Sequence, residues 1–253
     1  AGVITPVEHG LKGNRKQSQR VRCQPVSPRP KAPSRPPRNK RDRASRSCLR
    51  PSHPAYPAIH QVLTRGLDAT EAILPTEDGV DLLPATIELA RAEADLLTRT
   101  GREFVLRSVL EELDGYDWVL LDCPPSLGVL TVAALTAAHG VLIPLQCETL
   151  SHRGVGQLLD TVHDVRRFTN KKLSVWGVLP TLYDGRTTHA RTVLDTIAET
   201  YKLDVITPPI PKTIRFAEAP AAGRSVLATT PKSNKGAKAY REVATSLAER
   251  EAR

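Results

Sequence analysis

Residues Asp117–Thr131 read DWVLLDCPPSLGVLT. Four apolar residues, Trp118 to Leu121, run without a polar break into Asp122. A nearly continuous apolar run is expected of a parallel-sheet strand covered on both faces. A strand that ends on an acid presents that acid either to a ligand beyond the sheet or, as a cap, to the next helix. In nucleotide hydrolases such an acid serves a magnesium ion or the attacking water. The turn Cys123-Pro124-Pro125 follows, then a helical pattern over SLGVLTVAALTAA.

The same alternation continues outward from this stretch. GVLIPLQCE and LSVWGVLPTLYD read as further buried strands, and LDVITPPIP as a short one. SHRGVGQLLDTVHDVRRF, RTTHARTVLDTIAETY and SNKGAKAYREVATSLAERE carry helical spacing between and after them. Upstream, AIHQVLTRG places Ile59, Val62 and Leu63 on one helical face, with Gly66 as a stop. GVDLLPA reads as a short strand, and the stretch from Ala85 to Leu113 as helical. Alternating strands and helices predict an α/β fold, a doubly wound and mostly parallel sheet with helices on both faces. Ligands are then expected beyond the C-terminal strand ends.

The first fifth of the chain differs. The whole protein has 253 residues and a net charge of +9, yet residues 1–55 alone hold 14 Lys+Arg against 2 Asp+Glu. That is a balance of +12, leaving −3 for the remainder. Residues 1–5, AGVIT, fit a short strand. From Pro6 to Pro57 the sequence is rich in Arg, Pro and Ser, with almost no apolar periodicity. Proline fixes φ and donates no hydrogen bond, and little apolar surface is available to offset chain entropy. The expected organisation is a disordered basic tract over 1–57 and an α/β domain over 58–253. Such a tract either binds nucleic acid by counterion release or is simply solvated.

No run of about 18 uncharged apolar residues occurs, so no transmembrane helix is expected. The four cysteines, Cys23, Cys48, Cys123 and Cys147, lack C-x-x-C spacing, which argues against a zinc site and a disulfide scaffold and suits a reducing cytosol. No methionine is present, so the first residue is not read as a natural start.

Polar residues collect at the expected strand ends: Asp122; Gln146 and Glu148; Tyr183, Asp184 and Arg186; then Lys212, Arg215 and Glu218. In one doubly wound sheet these converge on one crevice. On DGVDLLPATIELARAE, YDWVLLDCPPSLGVLTVAALTAA, VLIPLQCETLSHRGVGQLLDTV, GVLPTLYDGRT and IPKTIRFAEAPAAGRSVLATTPKSNKGAKAY, the chain from about Ala58 to Arg250 resembles the ParA/Soj family of partition ATPases. These are deviant Walker P-loop proteins related to MinD.

The resemblance implies a cytoplasmic, nucleoid-associated protein that uses ATP and Mg2+. It also implies an ATP-dependent homodimer, ATP-dependent binding of nonspecific DNA and ATP hydrolysis stimulated by a ParB-type partner, in chromosome or plasmid partition. By resemblance Asp122 is the Walker B aspartate, catalytic and magnesium-holding through water. Pro209 and Pro211 lie where the family packs the adenine. Glu148, Lys212 and Arg215 are candidate DNA or dimer contacts, with a surface salt bridge as the other reading of Arg215. The last helix lacks the large apolar face of a membrane anchor, so no membrane role is expected.

The family's phosphate loop, K-G-G-x-G-K-[ST], should follow the first strand. Its glycines let backbone N–H groups approach phosphate closely. Here PVEHGLKGNRKQSQ follows AGVIT. Lys12, Gly13, Lys16 and Ser18 are its candidate remnants, but Gly13 is the only glycine between the two lysines. The next landmark, a strand ending D-x-D-P-Q, is absent. Two explanations stand. In one, the tract genuinely replaces the loop, giving a nucleotide-dead ParA-like DNA-binding or adaptor protein without ATPase activity. In the other, the reading frame shifted near residue 6 and recovered before Ala58. SRPP at Ser34–Pro37 is encodable by codons whose shifted frame reads Val-Asp-Leu-Pro, and the coding DNA decides between them.

Overall fold

A computed structural model of the protein describes residues 2–6 (backbone only), 57–124, 126–147, 151–221 and 223–251. The tract expected to be disordered therefore lies almost wholly outside the described residues. Chain order is β1 (Gly2–Pro6), α1 (Ile59–Arg65), α2 (Ala69–Ala72), β2 (Leu74–Pro75), β3 (Asp81–Leu82), α3 (Glu88–Leu97), a 3₁₀ turn (Arg102–Phe104), α4 (Val105–Glu111), β4 (Trp118–Asp122), α5 (Val129–Ala137), β5 (Gly140–Gln146), α6 (Ser151–Phe168), β6 (Ser174–Thr181), α7 (Thr188–Tyr201), α8 (Arg215–Ala221), α9 (Val226–Thr229) and α10 (Lys235–Glu251).

The main sheet has the order β4-β1-β5-β6. β5 and β6 pair in parallel. β1 is antiparallel to both of its neighbours, so β4, β5 and β6 all point one way. The doubly wound, mostly parallel architecture is thus present, with β1 as the reversed strand.

Both faces of β5 are covered, as its side-chain alternation requires. Val141, Ile143 and Leu145 join Leu135 of α5, Val155, Leu158, Val162 and Val165 of α6, and Leu194 and Ile197 of α7 in one core. Leu142 points the other way. It meets Trp176, Leu179, Ile206 and Ile210, closed over by Ala239, Val243 and Leu247 of α10. The helical intervals of three and four within α6, α7 and α10 place these residues on single stripes. Trp176 is buried, and Val243 lies on the packing face of α10. A further core joins α1, α3, α4 and α5 through Leu63, Leu96, Leu106, Val129 and Ala133.

Helix ends follow local chemistry. α1 stops at Gly66, which adopts the left-handed conformation at φ 68°. Asn170 donates its side-chain amide to the carbonyls of Leu135 and Ala138 at the end of α5, at 3.1 and 2.6 Å. Those carbonyls have no partner within their own helix.

Four expectations are corrected. GVDLLPA contributes only β3, which pairs antiparallel with β2 in a separate hairpin and not with the main sheet. The stretch from Ala85 to Leu113 is not one helix. It breaks after Leu97, because Gly101 turns left-handed at φ 70° before the 3₁₀ turn. LDVITPPIP forms no strand. It runs beside β6 through separate bonds, Ile206 N–H to the Val178 carbonyl and Ile210 N–H to the Pro180 carbonyl, each 2.8 Å. Pro208, Pro209 and Pro211 have no N–H with which to fill in a ladder. Finally, β4 is not covered on both faces. Leu121 packs into the core beneath α5, but Leu120, on the opposite face, is 72% exposed.

β5 and β6 slip register between Val141 and Leu142, whose partners are Val175 and Gly177. The skipped residue is Trp176, which lies over Gly140, where a Cβ would meet its indole ring. Gly177 sits at φ 131°, and a Cβ there would collide with the Asp204 carbonyl. Only glycine fits both conditions.

Candidate nucleotide crevice

Because β4, β5 and β6 share a direction, their C-terminal ends open on one edge of the sheet. Asp122, the last residue of β4, is exposed there. Cys123 beside it is half-buried. Burial pushes its thiol up to about 11, and the neighbouring Asp122 carboxylate adds to the effect. Gln146 ends β5, followed by Cys147, whose thiol burial also raises. The sequence thus places Asp122 and Gln146 correctly at one edge. Glu148, Lys12, Gly13, Lys16, Ser18 and Pro125 lie outside the described residues.

Beyond β6 the backbone turns at Leu182, φ 49°. Tyr183 then pairs with Pro211. Tyr183 N–H donates to the Ile210 carbonyl at 2.9 Å, and Lys212 N–H donates to the Tyr183 carbonyl at 3.1 Å. This brings Pro209, Pro211 and Lys212 to the end of β6. Pro211, Lys212 and Thr213 line one side of an open recess of about 270 Å3, with Asn234, Lys235 and Gly236 on the other. Asn234 caps α10, its side-chain oxygen accepting from Gly236 N–H at 3.0 Å and Ala237 N–H at 3.2 Å. Lys212 and Lys235 are both exposed.

Asp184 accepts two bonds from the Arg186 guanidinium, at 2.9 and 2.8 Å. These bonds, with the Arg186 amide and the charge of Lys212, hold its carboxyl down to about 2. Arg215 is paired with Glu218 at 2.8 Å, both more than half exposed, which is the surface salt bridge among the two readings of that residue.

Sequence reasoning missed a tie between distant segments. Asp78, in the turn between β2 and β3, accepts from Arg224 Nε at 2.9 Å and from Ser225 N–H at 2.7 Å. Glu77 adds a 3.2 Å contact to the same guanidinium. The partners stand 146 and 147 positions apart, so no local pattern announces them.

A triphosphate needs backbone N–H groups at the crevice end of the strand beside Asp122. β1 runs against this. Gly2 lies opposite Asp122 and Pro6 opposite Trp118, so the chain leaves β1 at the far end of β4. Asp122 suits a hydrated magnesium ion, but no group of three or more His, Cys, Asp or Glu gathers for a metal among the described residues. Among the described residues, β1 supplies no backbone N–H cradle for the phosphates of MgATP beside Asp122, and Lys12, Gly13, Lys16 and Ser18 lie outside them.

Comparison with known proteins fixes the ancestry. The AAA domain family matches residues 43–175. Sporulation initiation inhibitor protein Soj of Bacillus subtilis is 38% identical over 192 residues, 75% of this chain and 76% of that protein. Chromosome partitioning protein ParA of Myxococcus xanthus is 36% identical over 195 residues, 76% of this chain and 69% of that one. A crystal structure titled cobyrinic acid a,c-diamide synthase from Mycobacterium smegmatis, with bound ATP analog and magnesium, is 50% identical with a TM-score of 0.66, covering 76% of this chain and 72% of that chain. Matching motifs, a matching fold and identities at this level over three quarters of the chain have one reading: the protein belongs to the ParA/Soj family of partition ATPases.

Proposed function

We propose that the protein acts in chromosome or plasmid partition by binding DNA without reading its sequence, as a homodimer that answers a ParB-type partner on the nucleoid in the cytoplasm. The observation that carries the DNA reading is the recess edged by the exposed cations Lys212 and Lys235, with Arg215 in the same segment. Cations so placed take phosphate oxygens, and the tract over residues 1–57 adds its own positive balance to the same interaction. The body over 58–253 then supplies position, and the tract supplies attraction. The partner and the homodimer rest on family membership.

The test is binding to a duplex of arbitrary sequence across a salt series. Each phosphate contact adds roughly 0.9 to the slope of log affinity against log salt. Lys212→Glu with Lys235→Glu should lower that slope by about 2 and weaken binding to every sequence alike. An unchanged slope removes the recess from the DNA surface. A measured mass of a single protomer, with and without DNA, rejects the homodimer.

A further inference from the structure

We propose that the end of α6 and the turn after it bind unpaired nucleic acid, a base stacking on Phe168 while Arg167, Lys171 and Lys172 take the flanking phosphates. Phe168 is the last residue of α6 and is 70% exposed. A phenylalanine ring is ordinarily covered. The Arg167 guanidinium lies over it, its central carbon 5.1 Å from the ring centroid. A guanidinium so placed is attracted by the ring and keeps its N–H edge for a second partner. Lys171 and Lys172 follow in the turn, both exposed. Among the described residues neither lysine nor Arg167 has a carboxylate partner, Asp164 one turn earlier included. With Arg166, four cations stand in the seven positions 166–172, with no acid among them. Cations favour a helix C-terminus in any protein. That accounts for the charges and not for the uncovered ring.

The other residues of the same turn are tied to the body. Asn170 donates to the carbonyls of Leu135 and Ala138, and its side-chain oxygen accepts from Lys172 N–H at 3.2 Å. The hydroxyls of Thr169 and buried Thr136 share a bond of 2.9 Å. Arg166 Nε donates to the Leu173 carbonyl at 2.6 Å. The backbone that carries Phe168 and the lysines is therefore placed before a ligand arrives, which lowers the ordering cost of binding. The ring then selects the ligand. A duplex presents phosphates but keeps its bases stacked inside, so it answers the cations alone. An unpaired strand presents both phosphate and a free base, and every base has a face that stacks on an aromatic ring. The site stands at the start of β6, and the recess beside Lys212 at its far end, seven residue steps or about 23 Å away. The two are separate surfaces, so failure of either leaves the other standing.

The experiment uses the full chain and three labelled probes: an oligothymidylate, a base-free deoxyribose-phosphate strand of the same length, and a duplex. The natural chain should bind the oligothymidylate at least about fivefold more tightly than the base-free strand. Phe168→Ala should remove that difference and leave duplex affinity within about twofold, and Phe168→Trp should restore it. Circular dichroism confirms that each variant folds. Replacing Arg167, Lys171 and Lys172 together by Gln should lower the single-strand salt slope by about 2, at roughly 0.7 per phosphate. In the natural chain, the oligothymidylate should protect Lys171 and Lys172 from acetylation, read by mass spectrometry. Equal affinity for the strands with and without bases overturns the proposal. So does a base preference that survives in folded Phe168→Ala, or a salt slope unchanged in the triple variant. Protection of the two lysines by a glutamate decapeptide and not by the oligothymidylate also overturns it, and assigns the turn to an acidic polypeptide.

Discussion

Replacing Asp78 with alanine tests whether the clamp formed by its bonds to Arg224 and Ser225 supports the fold. The carboxylate accepts one bond from a guanidinium and one from a backbone amide, at 2.9 and 2.7 Å, and its side chain is only 19% exposed. Hydrogen bonds to a charged group contribute about 1.5–3 kcal/mol where sheltered, and exposed ion pairs about 0–1 kcal/mol. Arg224 is 38% exposed and keeps Glu77 after the substitution, so its share belongs near the lower figure. The Ser225 amide keeps no such substitute for its bond to Asp78. The expected loss is about 2 kcal/mol, which for a body of this size lowers Tm by roughly 4–8 °C.

The pH dependence gives a second reading of the same substitution. Burial raises the Asp78 pKa, but the Ser225 amide and the Arg224 guanidinium outweigh it, so the folded value lies below the ordinary one. A depressed carboxyl contributes stability above its unfolded pKa of about 3.9 and loses it as pH falls through the folded value. The gap in Tm between the natural chain and Asp78→Ala should therefore be constant from about pH 5 to pH 8 and close below about pH 4. Thermal denaturation followed by circular dichroism reads both. Equal Tm values at pH 7, or a gap of full size at pH 3, would refute the clamp.

Three other outcomes are expected. Leu135→Ala, at a fully buried position in the core between β5 and its helices, should cost about 2–5 kcal/mol in denaturant unfolding. Gly177→Ala should give little folded protein on expression, since its Cβ meets the Asp204 carbonyl at a φ that L residues rarely adopt; Ala at the open, left-handed Gly66 should be far milder. Cys123 should react with a thiol reagent slowly at pH 8 and speed up only toward pH 11, whereas a rate levelling off near pH 9 contradicts its burial.

The site was legible in part, for a definable reason. Asp122 and Gln146 stand at one edge of the sheet because apolar runs announced by period and length become strands, whose shared direction the tertiary structure sets, and Lys212 is held at the end of β6 by its bond to Tyr183. The prolines of 207–211, which by resemblance lie where the family packs the adenine, removed the strand expected there. Arg215, open between two readings, is held by Glu218 three residues along its own helix, a pairing any helix offers at that spacing.

By itself the sequence determined the strands β4, β5 and β6, the helices α1, α5, α6, α7 and α10, where α1 stops, and the helical spacing by which α6, α7 and α10 face the core. These properties are local, set by side-chain spacing within about two turns of helix or one strand. Tertiary structure alone decided that β1 runs backwards between β4 and β5, that β2 and β3 stand apart as a hairpin, that Trp176 is skipped in the register, and that Asp78 finds Arg224 across 146 positions. Strand direction and long-range pairing depend on which surfaces remain to be covered once the local elements exist, and a single chain's periodicity carries no record of that.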